Sequence, residues 1–406
     1  MNPYFIRLPL VMPLLLGSLI SCSSNPSKNI PVEQIEDIRL AGGMPLEKAV
    51  AATMAPRSDG PNIVPDRFEA TEEQKRKFAE RKEAVQFFEG LFLRDPYILN
   101  APDGYYYYTG TRLDQIKGGD SVDWSTEGIE LWKSKDLLSW ELVGVPFRFA
   151  DLSWIDILKQ RGIEMKRKPM MWAPEIHNIG GQWVFTHTTS VRRANLILAD
   201  SPSGPIREVY PNANFGHRHD PTLFKDDDGK IYLLNSHNKV QELKPTLDGF
   251  VGEQFKIAPA NRKMGHEGLT MMKIGKKYII FGTGWSQDKL RHGTYNMYYA
   301  TADNLRGPYS DRRFLGRFLG HGTPFVDKNG NWWTTAFKNG KYISFEDLAK
   351  LKDQGGKAHT TMKSGFRLIP IEPKIDAKGD VFFNVLDERY RYPGPEENQK
   401  FEIRRW

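Results

Sequence analysis

One cysteine in 406 residues, Cys22, excludes any intramolecular disulfide. A transmembrane helix is missing too: the apolar stretch from Leu8 to Leu19 is too short to cross a bilayer, and nothing later is a candidate. The net charge of +7 is spread over many Lys and Arg residues without forming a basic stripe. That distribution argues against a nucleic-acid partner. It reads as a soluble basic surface, with an acidic partner such as a uronic or sulfated sugar as the alternative. What the chain has in plenty is aromatic: 10 Trp, 16 Tyr and 23 Phe bring the aromatic share to 12%, which suits a β-rich globular protein.

The N-terminus reads as an export signal. Arg7 gives it a positive start, the short apolar stretch follows, and Leu19-Ile20-Ser21-Cys22 ends it. That ending resembles a bacterial lipobox, which implies cleavage before Cys22 and a lipid-modified, membrane-tethered, exported protein. The expected divisions are a lipoprotein signal peptide over 1–21, a Ser/Pro/Asn/Gly-rich tether over 22–64, a helical extension over 65–90 and one catalytic domain over 91–406. Within the extension a helix is predicted from Thr71 to about Glu89. Thr71 and Gln74 form a capping box, and Phe78, Val85 and Phe88 recur at helical spacing.

From Leu91 onward short aromatic or β-branched segments alternate with Gly-containing turns, the signature of strands and hairpins. Five segments share one pattern. Asp95, Trp172, Asp220, Glu267 and His321 each precede, at nearly constant spacing, a glycine beside an aromatic residue: Gly104, Gly181, Gly229, Gly275 and Gly330. Repetition at this period implies an all-β, five-bladed β-propeller with an N-terminal helical extension. Extra residues around Gly118 and Gly119, helix-like Trp154–Lys159 and a short helix over Phe345–Lys352 interrupt the pattern. Ring symmetry brings the five segments to one axis, and three of them carry acids: Asp95, Asp220 and Glu267. A funnel that gathers carboxylates suits glycosidic cleavage, which needs one protonated and one ionised carboxyl. Like charges packed together also raise the pKa of one member.

The ordered set Asp95-Pro96, Trp172-Ala173-Pro174-Glu175, Asp220-Pro221, Glu267-Gly268 and His321-Gly322 resembles family-43 glycoside hydrolases over about residues 91–340. That resemblance implies the five-bladed propeller and hydrolysis with inversion, on terminal or branch sugars of plant or algal polysaccharide fragments, arabinofuranosidase or xylosidase in type. It assigns Asp95 as general base, Glu267 as general acid and Asp220 as the third carboxylate, with base and acid roughly 6.5–9.5 Å apart. No cofactor is required. His321 matches an axial histidine near which a structural calcium is expected as an option, although calcium prefers oxygen ligands. Trp172, His219, Arg94 and Arg218 are candidate substrate contacts. Glu175 reads as structural.

His266 immediately before Glu267 is a departure. The pair is similar to family-117 relatives acting on neoagaro-oligosaccharides, where the histidine is given the acid role. That leaves His266 as an alternative proton donor and a 3,6-anhydro-galactosidase as an alternative activity. His217, His219 and His266 together suggest a metal cluster as a lesser reading. A non-catalytic, sugar-binding surface propeller is the third alternative. Retaining fructosidases are set aside because their Glu-Cys pair is absent, and sialidases because their Ser-x-Asp-x-Gly repeats are absent.

Overall fold

The computed structural model describes residues 66–115, 122–123, 128–148, 153, 171–189, 194–210, 215–216, 218–339 and 361–402. Expectations on the signal peptide, the tether, Cys22, His217 and most of the two inserted segments (154–159 and 345–352) therefore lie outside the described residues.

Hairpin follows hairpin along the chain, so the four strands of each blade succeed one another in sequence. Blade 1 runs from the inner strand Phe92–Asn100 through Tyr106–Gln115 and Gly128–Ser134 to Ser139–Arg148. Blade 2 is Met171–Ile179, Gln182–Thr189, Ala194–Ala199 and Ile206–Glu208. Blade 3 is Thr222–Lys225, Ile231–Asn235, Lys239–Leu243 and Phe250–Lys256. Blade 4 is Glu267–Ile274, Lys277–Trp285, Tyr295–Ala302 and Arg313–Gly316. Blade 5 is Pro324–Val326, Trp332–Asn339, Thr361–Ile375 and Val381–Val385. Five antiparallel sheets around one axis make the five-bladed propeller that the repeat implied.

Hydrophobic cores lie in the junctions between blades. Val184, Leu196, Leu223 and Leu233 fill the space between blades 2 and 3. Phe224, Leu234, Leu269 and Ile280 do so between blades 3 and 4, and Ile279, Phe281, Ala336 and Ile369 between blades 4 and 5. Side chains of this size contribute about 1.5–3 kcal/mol each on full burial. Both faces of most blades are covered, which is why strands such as Tyr295–Ala302 are buried at every position.

The ring is closed by the segment before blade 1. Val85–Phe87 adds to Thr361–Ile375 of blade 5, with Gln86 opposite Arg367, so chain from both ends shares one sheet. This corrects the expected helix. It spans Glu72–Glu80 only, opened by the Thr71–Gln74 capping box and stopped at Arg81, whose backbone is left-handed. Phe78 belongs to it and stacks on Trp333 of blade 5 at 4.8 Å. Val85 and Phe87 instead alternate inward with a half-exposed Gln86 between them, a period-two pattern that β-branched and aromatic residues favour. Main-chain bonding to an open sheet edge and a buried slot for Phe88 among Tyr108, Trp132, Trp140 and Phe366 outweigh helical continuation. A second N-terminal strand, Arg67–Glu69, pairs with the outer edge of blade 1.

His187 in blade 2 illustrates what this packing does to a titratable group. Its ring lies 5.4 Å from that of Phe147, and burial pushes its pKa from 6.5 down to about 3. The folded chain holds it neutral, while the unfolded chain protonates it below pH 6.5. Its contribution to stability is therefore complete above that pH and lost as pH falls toward 3, at about 1.4 kcal/mol per pH unit. Urea unfolding at pH 7 and pH 5 checks this: His187→Gln flattens the acid-side slope, whereas an unchanged slope assigns it elsewhere.

Candidate active site

A β-bulge near the start of the inner strands aims side chains at the axis. In blade 1 the ladder jumps from Arg94↔Thr111 to Tyr97↔Thr109. In blade 2 it jumps from Trp172↔Thr188 to Glu175↔Thr186, and in blade 4 from Glu267↔Thr283 to Thr270↔Phe281. Inside each bulge one residue turns left-handed: Asp95 at φ 50°, Ala173 at 41° and Gly268 at 67°. Asp220 does the same at 46°, just ahead of the first strand of blade 3. Bulges bend a strand and re-aim what it carries, and the prolines after Asp95, Ala173 and Asp220 occupy positions where no ladder donor is needed.

This geometry revises the expected equivalence of the three acids. Asp95 and Asp220 are equivalent, both on the left-handed residue. Glu267 stands one residue earlier, where the other blades place Arg94, Trp172 and His219. The glycine spacing hid the slip because the hairpins differ in length. Gly180 and Gly181 alone join Ile179 to Gln182, whereas Ala101 to Tyr105 lie between Asn100 and Tyr106.

The axis nevertheless gathers all three. They form a row in which carboxylates alternate with imidazoles. Asp95 Oδ1 lies 3.3 Å from His321 Nδ1, and the same nitrogen lies 3.7 Å from Asp220 Oδ2. His219 Nε2 then bridges Asp220 Oδ2 at 3.4 Å and Glu267 Oε2 at 2.9 Å. Asp95 and Glu267 are the two ends of the row and Asp220 is its centre. The Thr111 hydroxyl donates to Asp95 Oδ2 at 2.6 Å and itself accepts from the Ala173 amide at 2.7 Å, tying the head of blade 2 to that of blade 1. At the other end the Tyr295 hydroxyl donates to Glu267 Oε1.

The row sets the charge on each member. Burial works against ionisation of Asp95, but the His321 hydrogen bond, Arg94 and Thr111 outweigh it and hold the carboxyl below its usual range. Burial raises Asp220 to about 6, helped by Glu267 and Asp95 and opposed by His219 and His321. Burial also disfavours charge on Glu267, yet the His219 hydrogen bond, His321 and Tyr295 keep it ionised. The imidazoles go the other way: against burial, Asp220 and Glu267 lift His219 to about 9, and Asp220 and Asp95 lift His321 to about 10. One end thus carries a firmly ionised carboxylate. At the other, His219 holds the proton of its 2.9 Å hydrogen bond to Glu267, so the carboxyl that crowding and burial raise is Asp220 and not Glu267.

The remaining expected residues fall into two groups. Trp172 is partly exposed beside the row, edge-on to His219 at 6.3 Å between centroids. Arg94 stays at the axis, 3.9 Å from Asp95 Oδ1 and over the ring of Phe337. Arg218 instead lies along blade 3, its guanidinium 4.4 Å from the Phe250 ring centroid and bonded to Gln241. Glu175 is buried and paired with His177 Nε2 at 2.9 Å, a link within blade 2. His266 accepts from the Trp285 amide through Nδ1 at 3.2 Å and has Lys263 Nζ 3.3 Å from Nε2. Burial, then Lys263, depresses its pKa to about 4, so it is neutral at ordinary pH. Thr111 and Tyr295 were not anticipated. They come from second and third strands, whereas the repeated motif marks only first strands.

Ligand atoms of His219, Asp220 and Glu267 all lie within 4.8 Å of one another, near enough to hold one divalent cation. Asp220 Oδ2 is buried without a hydrogen-bond partner, which suits such a role. His219 would have to give up its proton to join, and the ion would supply positive charge to the same carboxylates that His219 and His321 now neutralise.

Among characterised proteins, a xylan 1,3-beta-xylosidase of a Vibrio species is 34% identical over 154 residues, 36% of this chain and 25% of that protein. A beta-xylosidase of Bacillus subtilis is 24% identical over 298 residues, 65% of this chain and 51% of that one. This chain therefore spans only a quarter to half of these relatives. A family-43 crystal structure from Bacillus licheniformis superposes with a TM-score of 0.53 at 20% identity, covering 79% of this chain and 60% of that one, which establishes the shared fold. A sequence profile of the glycosyl hydrolases of family 43 matches residues 89–359, from the first blade into the fifth and across every member of the row of acids and imidazoles, and the chain belongs to that family.

Proposed function

We propose that this protein is an inverting glycosidase that removes terminal or branch pentoses, of the xylosidase or arabinofuranosidase type, from plant or algal polysaccharide fragments. The observation that carries this reading is the placement of Asp95 and Glu267 at opposite ends of one row. Inversion needs base and acid apart, with room for a water between base and sugar. Asp95, held ionised, takes a proton from the water that attacks the anomeric carbon. Glu267, ionised at rest, takes up the proton that His219 holds across their 2.9 Å hydrogen bond and passes it to the glycosidic oxygen as that bond breaks. Asp220, between two imidazolium groups, keeps both histidines charged and in place. His266 suits the donor role less well, because its Nδ1 is engaged by a backbone amide and a lysine faces its Nε2. The relatives named for xylosidase activity support the choice of sugar.

A panel of aryl glycosides tests the reading. Release of aglycone from a β-D-xyloside or α-L-arabinofuranoside is expected. Sugar binding without release from any member would support a non-catalytic propeller instead. The same reading places the protein at a membrane through acyl groups on Cys22, on the strength of the lipobox-like stretch. Labelled fatty acid taken up by the wild type and not by Cys22→Ala is the expected outcome; equal labelling contradicts it.

Gly268 offers a test of how tightly the row is held. A Cβ there would stand 2.6 Å from His321 Nε2, at a φ of 67° that side chains rarely adopt. Gly268→Ala must displace His321, and each 1.4 kcal/mol of lost preorganisation costs about tenfold in rate. A fall in kcat of about tenfold or more with the fold intact by circular dichroism is expected. Wild-type kcat would show that the position of His321 does not matter.

A further inference from the structure

Strand order puts the turns that join second to third strands on the same face as the row of acids. Three of the five such rims include residues outside those described; blades 3 and 4 supply the others. The blade 3 turn is bound to the row itself, since the Ser236 amide donates to His219 O and the Leu269 amide to Ser236 O. Next to it runs the crossover into blade 4, where the Ile257 amide donates to Asn238 O at 2.9 Å.

Three lysines and a histidine stand close together along this rim. Lys239 and Lys256 are direct cross-strand partners, an arrangement in which like charges repel. Lys263 reaches the ring of His266, the residue before Glu267. His237 lies among all three lysines. Its pKa is lowered first by burial and then by Lys263, Lys239 and Lys256 in turn. None of the three lysines is within ion-pair distance of a carboxylate among the described residues. Lys273 and Lys277 of blade 4, by contrast, are matched, the first by Asp226 and Asp227 and the second by Asp303. Asp288 turns its carboxylate to Arg262 and Arg312 and offers Lys263 only its backbone oxygen.

We propose that Lys239, Lys256 and Lys263, with the rings of His237 and His266 between them, form a subsite for an anionic substituent, a uronate carboxylate or a sulfate ester, on the leaving-group side of the scissile bond. The side follows from Lys263, whose Nζ is 3.3 Å from the ring of His266, the residue before Glu267, the group that protonates the leaving oxygen. Compact, mobile ammonium groups suit either anion, whereas a planar guanidinium fork would favour bidentate partners. The inference rests on the glycosidase reading for its orientation, and on the unpaired lysines for its chemistry.

The test uses three forms of one xylo-oligosaccharide: bearing a glucuronic acid, the same with its carboxyl reduced to the alcohol, and bearing a sulfate ester in place of the uronic acid. At low salt the wild type should prefer an anionic form over the neutral twin by about tenfold in kcat/KM, and the preference should fade as salt screens it. Lys263→Gln and Lys256→Gln should each shrink the ratio between anionic and neutral forms. The larger of the two anionic preferences identifies the substituent. Equal turnover of all three forms by the wild type, or a preference that survives both substitutions and high salt, overturns the subsite. If none is hydrolysed the glycosidase reading fails separately, and titration calorimetry with the same oligosaccharides decides the subsite: tighter binding of an anionic form supports it, equal affinities overturn it.

Discussion

Asp95→Asn is expected to lower kcat by about 10²–10⁴-fold on any glycoside the enzyme hydrolyses, with affinity for sugar and resistance to unfolding kept. The amide is nearly isosteric and can still accept from Thr111, so the bulge at Arg94 to Tyr97 and the link to Ala173 have no reason to move. What is lost is the ionised carboxylate that His321 and Arg94 preserve against burial. The neutral amide cannot take a proton from water at any accessible pH. Hydrolysis assays with ligand binding and thermal unfolding on the same preparation separate these effects. Activity within a few-fold of wild type would remove Asp95 from the role of base.

The second large effect distinguishes Glu267 from His266. On a natural disaccharide, whose leaving alcohol needs a proton, Glu267→Gln should cost about 10²–10⁴-fold. On an aryl glycoside with a strongly acidic phenol the same variant should recover most of the wild-type rate, because that leaving group departs without protonation. His266→Gln should lower both rates alike and modestly, through the Trp285 amide and Lys263 that the ring contacts. Selective rescue of His266→Gln instead would transfer the donor role to the histidine and favour the anhydro-galactosidase alternative.

How much of this was legible beforehand differs from element to element. The propeller was readable because its strands are short, aromatic and separated by glycine turns, and because the inner-strand motif recurs five times. Residues marked by that motif reach the axis: Asp95, Asp220, Glu267 and His321 all stand in the row. Their mutual positions were less legible. Glu267 sits one residue off the place that Asp95 and Asp220 share, since a bulge and a change in hairpin length leave no trace in spacing. Thr111 and Tyr295 stand on strands whose sequences advertise only burial. Arg218 adjoins Asp220 in sequence, yet Phe215 and Phe250 draw its guanidinium along the blade by cation–π contact. The capping box at Thr71 was correctly local, but Val85 and Phe88 answered to a sheet edge some 280 residues away in sequence, which no helical periodicity could report.

The most direct measurement is the configuration of the first sugar released, followed by proton NMR before mutarotation mixes the anomers. Water delivered by Asp95 from the far side of the ring, while Glu267 protonates the departing oxygen, yields the anomer opposite to that of the substrate. Release of the same anomer would mean that a carboxylate had attacked the sugar itself, and the division of labour between the two ends of the row would be wrong.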